Sequence, residues 1–235
     1  MKRKRKNKPD AEQRVGARNR AKILAAAVEL FAAKGFDGTR IAEIASAAGL
    51  PKANVYYYFK TKTAIYRTII SGLIAKWDTA LAQLRVDRHP AEAIADYIRA
   101  KIEFSRRHQL ESKIFSSEAV HGGRFLTRQD RAHMQAITVE KAAVFRQWAQ
   151  SGKMDAVDPM HLFILLWAST QFYADSKILA ANALETNTLR AGDFEKAAAV
   201  ITQIVLKGCG VTASEIPAPG TSIRDTRFRP AEDLE

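Results

Sequence analysis

Residues able to contact a polyanion are concentrated between positions 52 and 60 of this 235-residue chain. Lys52 supplies an ammonium group, and the side-chain amide of Asn54 carries both a donor and an acceptor. Such an amide can match the edge of a nucleic-acid base, while an ammonium suits a phosphate oxygen. We predict that one short helix presents a set of polar and small side chains toward solvent: Lys52, Ala53, Asn54, Tyr56, Tyr57 and Lys60.

The segment around these residues has the pattern of two short helices joined by a tight turn. Apolar residues such as Ile44 recur at helical spacing and give the first helix one buried face. Gly49 follows where a helix commonly ends in a left-handed residue, and Pro51 stands where a new helix would begin. Val55 and Tyr58 are spaced to pack back onto the first helix. A helix pair of this kind holds its second member in a DNA major groove.

The charge distribution supports the same interpretation. The chain has a formal net charge of +12, and residues 1–62 hold 15 Lys/Arg against 5 Asp/Glu, a net charge of +10. A phosphate backbone rewards such a concentration of cations through counterion release. For the run Lys2 to Lys8 alone, a solvated charged segment is an equally good interpretation.

Several classes of protein are disfavoured by the residues present. Cys209 is the single cysteine, which excludes an intrachain disulfide and a cysteine-based zinc site. The five histidines lack metal-like spacing, and no nucleophile–base pair or phosphate-cradling glycine loop suggests an enzyme. No apolar segment follows the basic start, and the apolar run 162–174 is too short to span a bilayer. We expect a cytoplasmic protein without a cofactor or a membrane partner.

The pattern along the chain predicts an all-α fold of about nine helices in two domains. A basic arm at 1–17 is expected to be disordered, and a three-helix DNA-binding domain follows at 18–66. A helical effector-binding and dimerisation domain occupies 67–210, and a flexible tail occupies 211–235. The expected helices are 18–34, the pair within 39–59, 62 to about 84, 91–107, 110–121, 125–151, 160–184 and 192–207.

The motif FDGTRIAEIASAAGLPKANVYYYFKTK at 36–62 resembles the TetR family of dimeric transcriptional repressors. The family pattern covers residues 18–66, including Lys34-Gly35-Phe36 and the Gly-Thr pair at 38–39. The resemblance implies a homodimer on a double-stranded DNA operator. It also implies base or phosphate contacts from Lys52 and Asn54, and phosphate contacts from five residues around them: Thr39, Tyr56, Tyr57, Lys60 and Lys62. Arg40 and Ala53 complete the set of candidate DNA-binding residues.

The body of the chain is similar to a pyrimidine-responsive subgroup of that family. The stretches that carry this similarity include 96–99, 152–153, 158–162, 167–171 and 173–175. The resemblance implies a small planar effector such as uracil or thymine. The flat indole of Trp167 and the side-chain amide of Gln171 lie one turn apart on a predicted helix, and together they suit such a lactam. The candidate lining is Trp77, Phe115, Trp167 and Gln171.

Other interpretations of these residues stay open at this point. Both tryptophans are also compatible with ordinary core positions, and Glu118 could contact a ligand or pair with an arginine. A repressor of drug efflux would sense a larger amphipathic drug or lipid in a more apolar cavity. A nucleic-acid coat without sequence preference would use the basic arm alone. In the favoured interpretation, dimers form through the helices at 160–184 and 192–207.

Overall fold

The computed structural model describes residues 9–211, and every regular element in that range is an α-helix, so the all-α prediction is confirmed. The expected arm at 1–8 and tail at 212–235 lie outside the described residues. The described range contains ten helices: α1 Pro9–Gly38, α2 Ile41–Ala47, α3 Lys52–Tyr58, α4 Lys62–Leu81, α5 Pro90–Arg107, α6 Gln109–Val120, α7 Arg128–Gln150, α8 Pro159–Asp175, α9 Lys177–Ala183 and α10 Ala191–Gly208.

Helix α1 begins at Pro9, nine positions earlier than its predicted start at Arg18. Residues 9–17 are therefore helical, which corrects this part of the expected disordered arm. Ala, Glu, Gln and Arg favour helix even where the net charge is high, and proline is tolerated in a first turn. Near its other end α1 bends sharply at Gly35, whose φ of +70° and ψ of 176° are accessible to glycine alone.

The predicted turn between α2 and α3 is present. Gly49 has a φ of +64°, and the N–H of Leu50 returns to the carbonyl of Ala45 at 3.0 Å. This hydrogen bond satisfies a carbonyl that the end of α2 would otherwise leave without a partner. Pro51, with φ −58°, is the N-cap of α3, and Lys52 is the first helical residue. The turn thus directs α3 away from α2 at a fixed angle.

The body departs from the sequence prediction at one break. The single helix expected over 160–184 is divided at Ser176, whose φ of −116° and ψ of 39° lie outside the helical region. The N–H of Ser176 closes α8 on the carbonyl of Phe172 at 2.9 Å, and α9 then starts at Lys177. At the other end, Asp158 caps α8 as predicted, accepting from the N–H of Met160 at 2.8 Å.

Two hydrophobic clusters organise the helices, and α4 contributes to both. The first joins α1, α2 and α3 to the N-terminal half of α4, with Ile44 and Val55 fully buried. It also includes Phe125, whose ring lies 4.2 Å from that of Phe36. The second is centred on α5, α7, α8 and α10. Packing therefore continues across the predicted boundary between residues 66 and 67.

None of the described helices is both long and apolar enough to cross a membrane.

Two glycine-to-alanine substitutions should have opposite effects on stability. Neither Gly49 nor Gly72 has an atom within 4 Å of an added Cβ, so crowding does not contribute. We expect Gly49→Ala to lower the free energy of unfolding by about 1–2 kcal/mol, because its φ is left-handed. Gly72→Ala, inside α4, should raise it by about 0.5–1 kcal/mol. Urea unfolding followed by circular dichroism measures both, and equal stability of the two variants would contradict the turn geometry.

Candidate DNA-binding surface and effector site

The outer face of α3 carries the residues predicted to contact nucleic acid. Tyr57 is 75% exposed and Tyr56 41% exposed, while Val55 on the opposite face is fully buried. The ammonium of Lys52 lies 5.8 Å from the centre of the Tyr56 ring, so the two side chains form one continuous surface. The other predicted residues of this face are also on the surface, with Ala53 and Lys60 exposed and Asn54 half-buried.

Helix α3 is fixed in place by α1. The side-chain amide of Asn19 donates to the hydroxyl of Tyr58 at 3.4 Å, and the guanidinium of Arg20 lies 4.5 Å from the centre of the Phe59 ring. Tyr58, which the spacing predicted to be the core tyrosine, is half-buried and packs edge-on against Tyr57. These contacts orient the exposed face without using the side chains that it presents.

Thr39 and Lys62 are directed inward, unlike their predicted role at phosphates. Thr39 is 1% exposed, and its hydroxyl donates to the carbonyls of Leu30 and Gly35 at 3.2 and 2.8 Å. The ammonium of Lys62 donates to the carbonyls of Phe36 at 2.7 Å and Thr39 at 2.9 Å. Both side chains therefore join α1, α2 and α4. These hydrogen bonds hold together helices that pack beside α3. The Thr39 hydroxyl is buried away from any phosphate, and the phosphate contact of Lys62 stays a prediction.

Arg40 lies at the start of α2 with its side chain exposed. Its backbone N–H donates to the carboxylate of Glu43 at 2.8 Å, and the ammonium of Lys34 donates to the same carboxylate at 2.7 Å. The Lys34 ammonium first, and then the Arg40 N–H, lower the pKa of Glu43. Glu43 thus pairs with Lys34, and the Arg40 guanidinium stays exposed at the start of α2.

The candidate effector residues form two groups. In the first, the rings of Trp77 and Phe115 meet edge to face with centres 4.5 Å apart, and Phe104 lies 6.3 Å from Trp77. In the second, the indole N–H of Trp167 donates to the buried hydroxyl of Tyr97 at 3.0 Å. Trp77 and Phe115 are therefore neighbours as expected, whereas Trp167 is held by α5.

The amide of Gln171 belongs to a polar group at the end of α8. Its NH₂ donates to the carboxylate of Asp175 at 3.0 Å, and the hydroxyl of Ser116 on α6 donates to the same carboxylate. One turn earlier, the hydroxyl of Ser105 on α5 donates to the carbonyl of Thr170 at 2.9 Å. These bonds fix α8 against α5 and α6 at the level of the candidate effector site.

Lys101 connects the two groups and was not among the sequence candidates. It lies one turn after Tyr97 on α5, is 4% exposed, and its ammonium sits 4.8 Å from the centre of the Trp77 ring. Burial lowers its pKa to about 8, although the charge of Asp175 acts in the opposite direction. A signal was present in the sequence, because a lysine between Ile98 and Ile102 interrupts the apolar face of α5.

A solvent-open cleft of about 660 Å³ lies elsewhere, between α1, α4, the end of α5 and α6. None of the four candidate effector residues lines it. The cations that line it already have carboxylate partners, since Lys76 lies 3.6 Å from Glu111, and Arg106 contacts Glu103 at 2.6 Å. Cations already neutralised in this way offer little to a ligand, so this cleft is the weaker candidate.

Glu118 has a structural role that neither sequence interpretation anticipated. It is 4% exposed, and its carboxylate accepts the backbone N–H of Phe125, which fixes the connection between α6 and α7. Burial, followed by the nearby Glu118 charge, raises the pKa of Tyr66 to about 12.

Within residues 13–211, no group of three or more His, Cys, Asp or Glu side chains is arranged to hold a metal ion.

Comparison with known proteins agrees with this architecture. The family model for bacterial regulatory proteins of the tetR family matches residues 23–69. The model for the C-terminal region of YcdC-like proteins matches residues 70–212. Together the two models span the N-terminal helices that include α2 and α3, called the head below, and the remaining helices, called the body.

Individual proteins similar to this chain are also transcriptional regulators. The chain is 40% identical over 161 residues to the HTH-type transcriptional regulator RutR of Escherichia coli K12, covering 68% of this chain and 76% of that protein. It is 26% identical over 166 residues to the HTH-type transcriptional repressor NicS of Pseudomonas putida, covering 68% and 77%. The structure of AibR with isovaleryl coenzyme A and operator DNA shares the fold, with a TM-score of 0.59 at 22% identity over 80% of this chain and 97% of that one. The chain described here belongs to the TetR family of bacterial transcriptional regulators.

Proposed function

We propose that this protein is a repressor that binds a palindromic operator as a homodimer and releases it when a small planar pyrimidine, such as uracil or thymine, binds the body. The exposed face of α3 is the observation that carries the DNA-binding half of this proposal. It presents Lys52, Asn54, Tyr56 and Tyr57, with Lys60 exposed just after the helix, while Val55 is buried and Tyr58 is hydrogen-bonded to α1. Ammonium groups suit phosphates, and an asparagine amide suits the edge of adenine.

Dimerisation is supported by apolar side chains exposed on α8 and α10. Ile164 and Leu165 on α8 are 57% and 53% exposed, and Val200 and Ile204 on α10 are 53% and 63% exposed. Val200 and Ile204 are one turn apart and therefore share a face. Pairing of these helices with those of a second copy would bury an exposed apolar surface. A two-fold axis would then place two copies of α3 over two half-sites.

The pyrimidine class is supported by the chemistry around Trp77 and Gln171, together with the 40% identity to RutR. Flat aromatic rings, an amide and two charged side chains, Lys101 and Asp175, are grouped where α4, α5, α6 and α8 meet. An amphipathic drug or lipid would find such a group of polar side chains unfavourable. A small heterocycle with donors and acceptors on its edge suits it better.

Communication between the two sites would pass along α4. Trp77 lies 15 residues beyond Lys62, the first residue of α4, which corresponds to about 22 Å at the helical rise. Lys62 holds the head through the carbonyls of Phe36 and Thr39. A ligand that prefers a different position of α4 would shift the population of dimers toward a half-site separation that the operator does not match.

The proposal is tested by selecting binding sites for the full-length protein from random DNA. Fluorescence anisotropy then compares the selected sequence with a scrambled one, with and without uracil. We expect a palindromic selected sequence, bound at least ~1,000-fold more tightly than the scrambled one, and weaker binding when uracil is added. Equal affinity for both DNA molecules would favour a nucleic-acid coat without sequence preference.

Two substitutions on the DNA-binding face should affect binding in different ways. We expect Lys60→Ala to weaken binding to selected and scrambled DNA alike and to reduce the salt slope by about 1, because a phosphate contact is lost. Asn54→Ala should cost about 1–3 kcal/mol on the selected sequence only. Anisotropy titrations at three salt concentrations measure both. Equal losses on the two DNA molecules for both variants would contradict these roles.

A further inference from the structure

Lys101 is a buried ammonium that lacks an ion-pair partner in the described part of the chain. It is 4% exposed, and no carboxylate among residues 13–211 lies within 4.0 Å of its Nζ. Asp175 on α8 acts on it only from a greater distance, and is itself bonded to Ser116 and Gln171. A buried charge ordinarily has a partner, because removing an ammonium from water is unfavourable.

Aromatic rings compensate for only part of this desolvation. Nζ lies 4.8 Å from the centre of the Trp77 ring and 5.9 Å from that of Phe104. A cation over an aromatic face is stabilised by the ring quadrupole. The rings have no oxygen or nitrogen lone pair to accept a hydrogen bond from the ammonium. A methionine would occupy similar space without the desolvation, so packing alone does not account for a lysine here.

Two further buried polar groups, one on α4 and one on α6, have no hydrogen-bond partner within the described residues. They are the indole N–H of Trp77 and the hydroxyl of Ser112. Trp77 contacts Lys101 directly, and Ser112 lies one turn before Phe115, the ring that packs against Trp77. Buried polar groups in native proteins are nearly always paired. Three buried groups able to donate, on helices joined by the Lys101–Trp77 and Trp77–Phe115 contacts, therefore lack an acceptor, which indicates that the acceptor arrives with a ligand.

We infer that Lys101 is the polar anchor of the effector site, and that the effector presents an oxo oxygen of a planar ring to its ammonium. This inference rests on the proposed function and specifies the chemistry of its ligand. The charged groups that face the site are Lys101 and Asp175, which balance each other. A neutral ring therefore suits the site better than a charged one. Its oxo edge would face Lys101, Trp77 and Ser112, and its N–H edge would face the Gln171–Asp175 pair.

Isothermal titration calorimetry of the full-length protein tests the inference with two probes that share a ring. Uracil carries two oxo groups, and unsubstituted pyrimidine carries none. We expect the wild-type protein to bind uracil at least ~10-fold more tightly than pyrimidine. Lys101→Met should lower uracil affinity by about 10- to 100-fold, as expected for loss of a hydrogen bond to a charged group. It should also remove most of the preference for uracil over pyrimidine.

Two further variants keep the test decisive. Lys113→Met, at an exposed lysine of α6, is the matched control and should leave uracil affinity unchanged. Ser112→Ala should lower uracil affinity several-fold while preserving the thermal midpoint, and it replaces Lys101→Met if that variant does not fold. If uracil binds Lys101→Met as tightly as wild type, the anchor is refuted and the pyrimidine proposal survives. If uracil does not bind the wild-type protein, both are refuted.

Discussion

Ile204→Glu is expected to convert the protein to a monomer and to lower its affinity for the selected operator by at least ~100-fold. Ile204 is 63% exposed on α10, one turn from the exposed Val200. A carboxylate at this position would be buried without a partner if α10 packed against a second copy. Loss of the dimer removes the gain in affinity from binding two linked half-sites, which commonly amounts to 10²–10⁴-fold. Sedimentation velocity and fluorescence anisotropy measure the two effects.

Val86→Glu provides the matched control for this substitution. Val86 is also an exposed apolar residue, at 44%, but it lies in the connection between α4 and α5. The control variant should stay dimeric and bind the operator as the wild type does. A dimeric Ile204→Glu with full operator affinity would show that the exposed face of α10 does not form the subunit interface.

Lys62→Met is expected to lower the free energy of unfolding of the DNA-binding head by about 2–4 kcal/mol, because it removes two charge-assisted hydrogen bonds to carbonyls. Those carbonyls belong to Phe36 and Thr39, and the Lys62 ammonium also lies 4.3 Å from the centre of the Phe36 ring. The apolar chain of methionine keeps the packing and leaves the carbonyls without their donor. Hydrogen exchange at α2 and α3 should rise, and binding to all DNA should weaken with it.

Lys34→Met is the control for a lysine at the surface of the same head. Its ammonium forms an exposed ion pair with Glu43, and such pairs contribute little to stability. We expect nearly wild-type exchange rates for this variant. If Lys62→Met left the exchange rates of α2 and α3 unchanged while DNA binding fell, Lys62 would act at a phosphate after all.

The features that could be predicted from the sequence are those set by local backbone chemistry. Gly49 marks the end of α2 and Pro51 the start of α3, because few other residues adopt their backbone conformations. The turn between them has the expected geometry. Asp158 caps α8 for the same kind of reason. The order of the helices from α4 to α10, apart from the division between α8 and α9, follows from apolar periodicity bounded by such residues.

The features that were missed depend on partners distant in the sequence. Lys62 is a surface residue by type, and its inward position is decided by carbonyls 23 and 26 residues away. The break at Ser176 has no glycine or proline to mark it, and the interactions around it come from α6 and α5. Lys101 was visible as a polar residue on an apolar face, but its lack of a partner depends on residues of three other helices.

Titration of the selected site with and without uracil is the decisive test of the proposed function, because it measures both DNA recognition and the effect of a ligand on it. The proposed function predicts a palindromic sequence with half-sites about one helical turn apart. It also predicts strong discrimination against scrambled DNA, and at least ~10-fold weaker binding at saturating uracil. Random DNA bound as tightly as any selected sequence, or operator affinity unaffected by a pyrimidine that calorimetry shows to be bound, would contradict it.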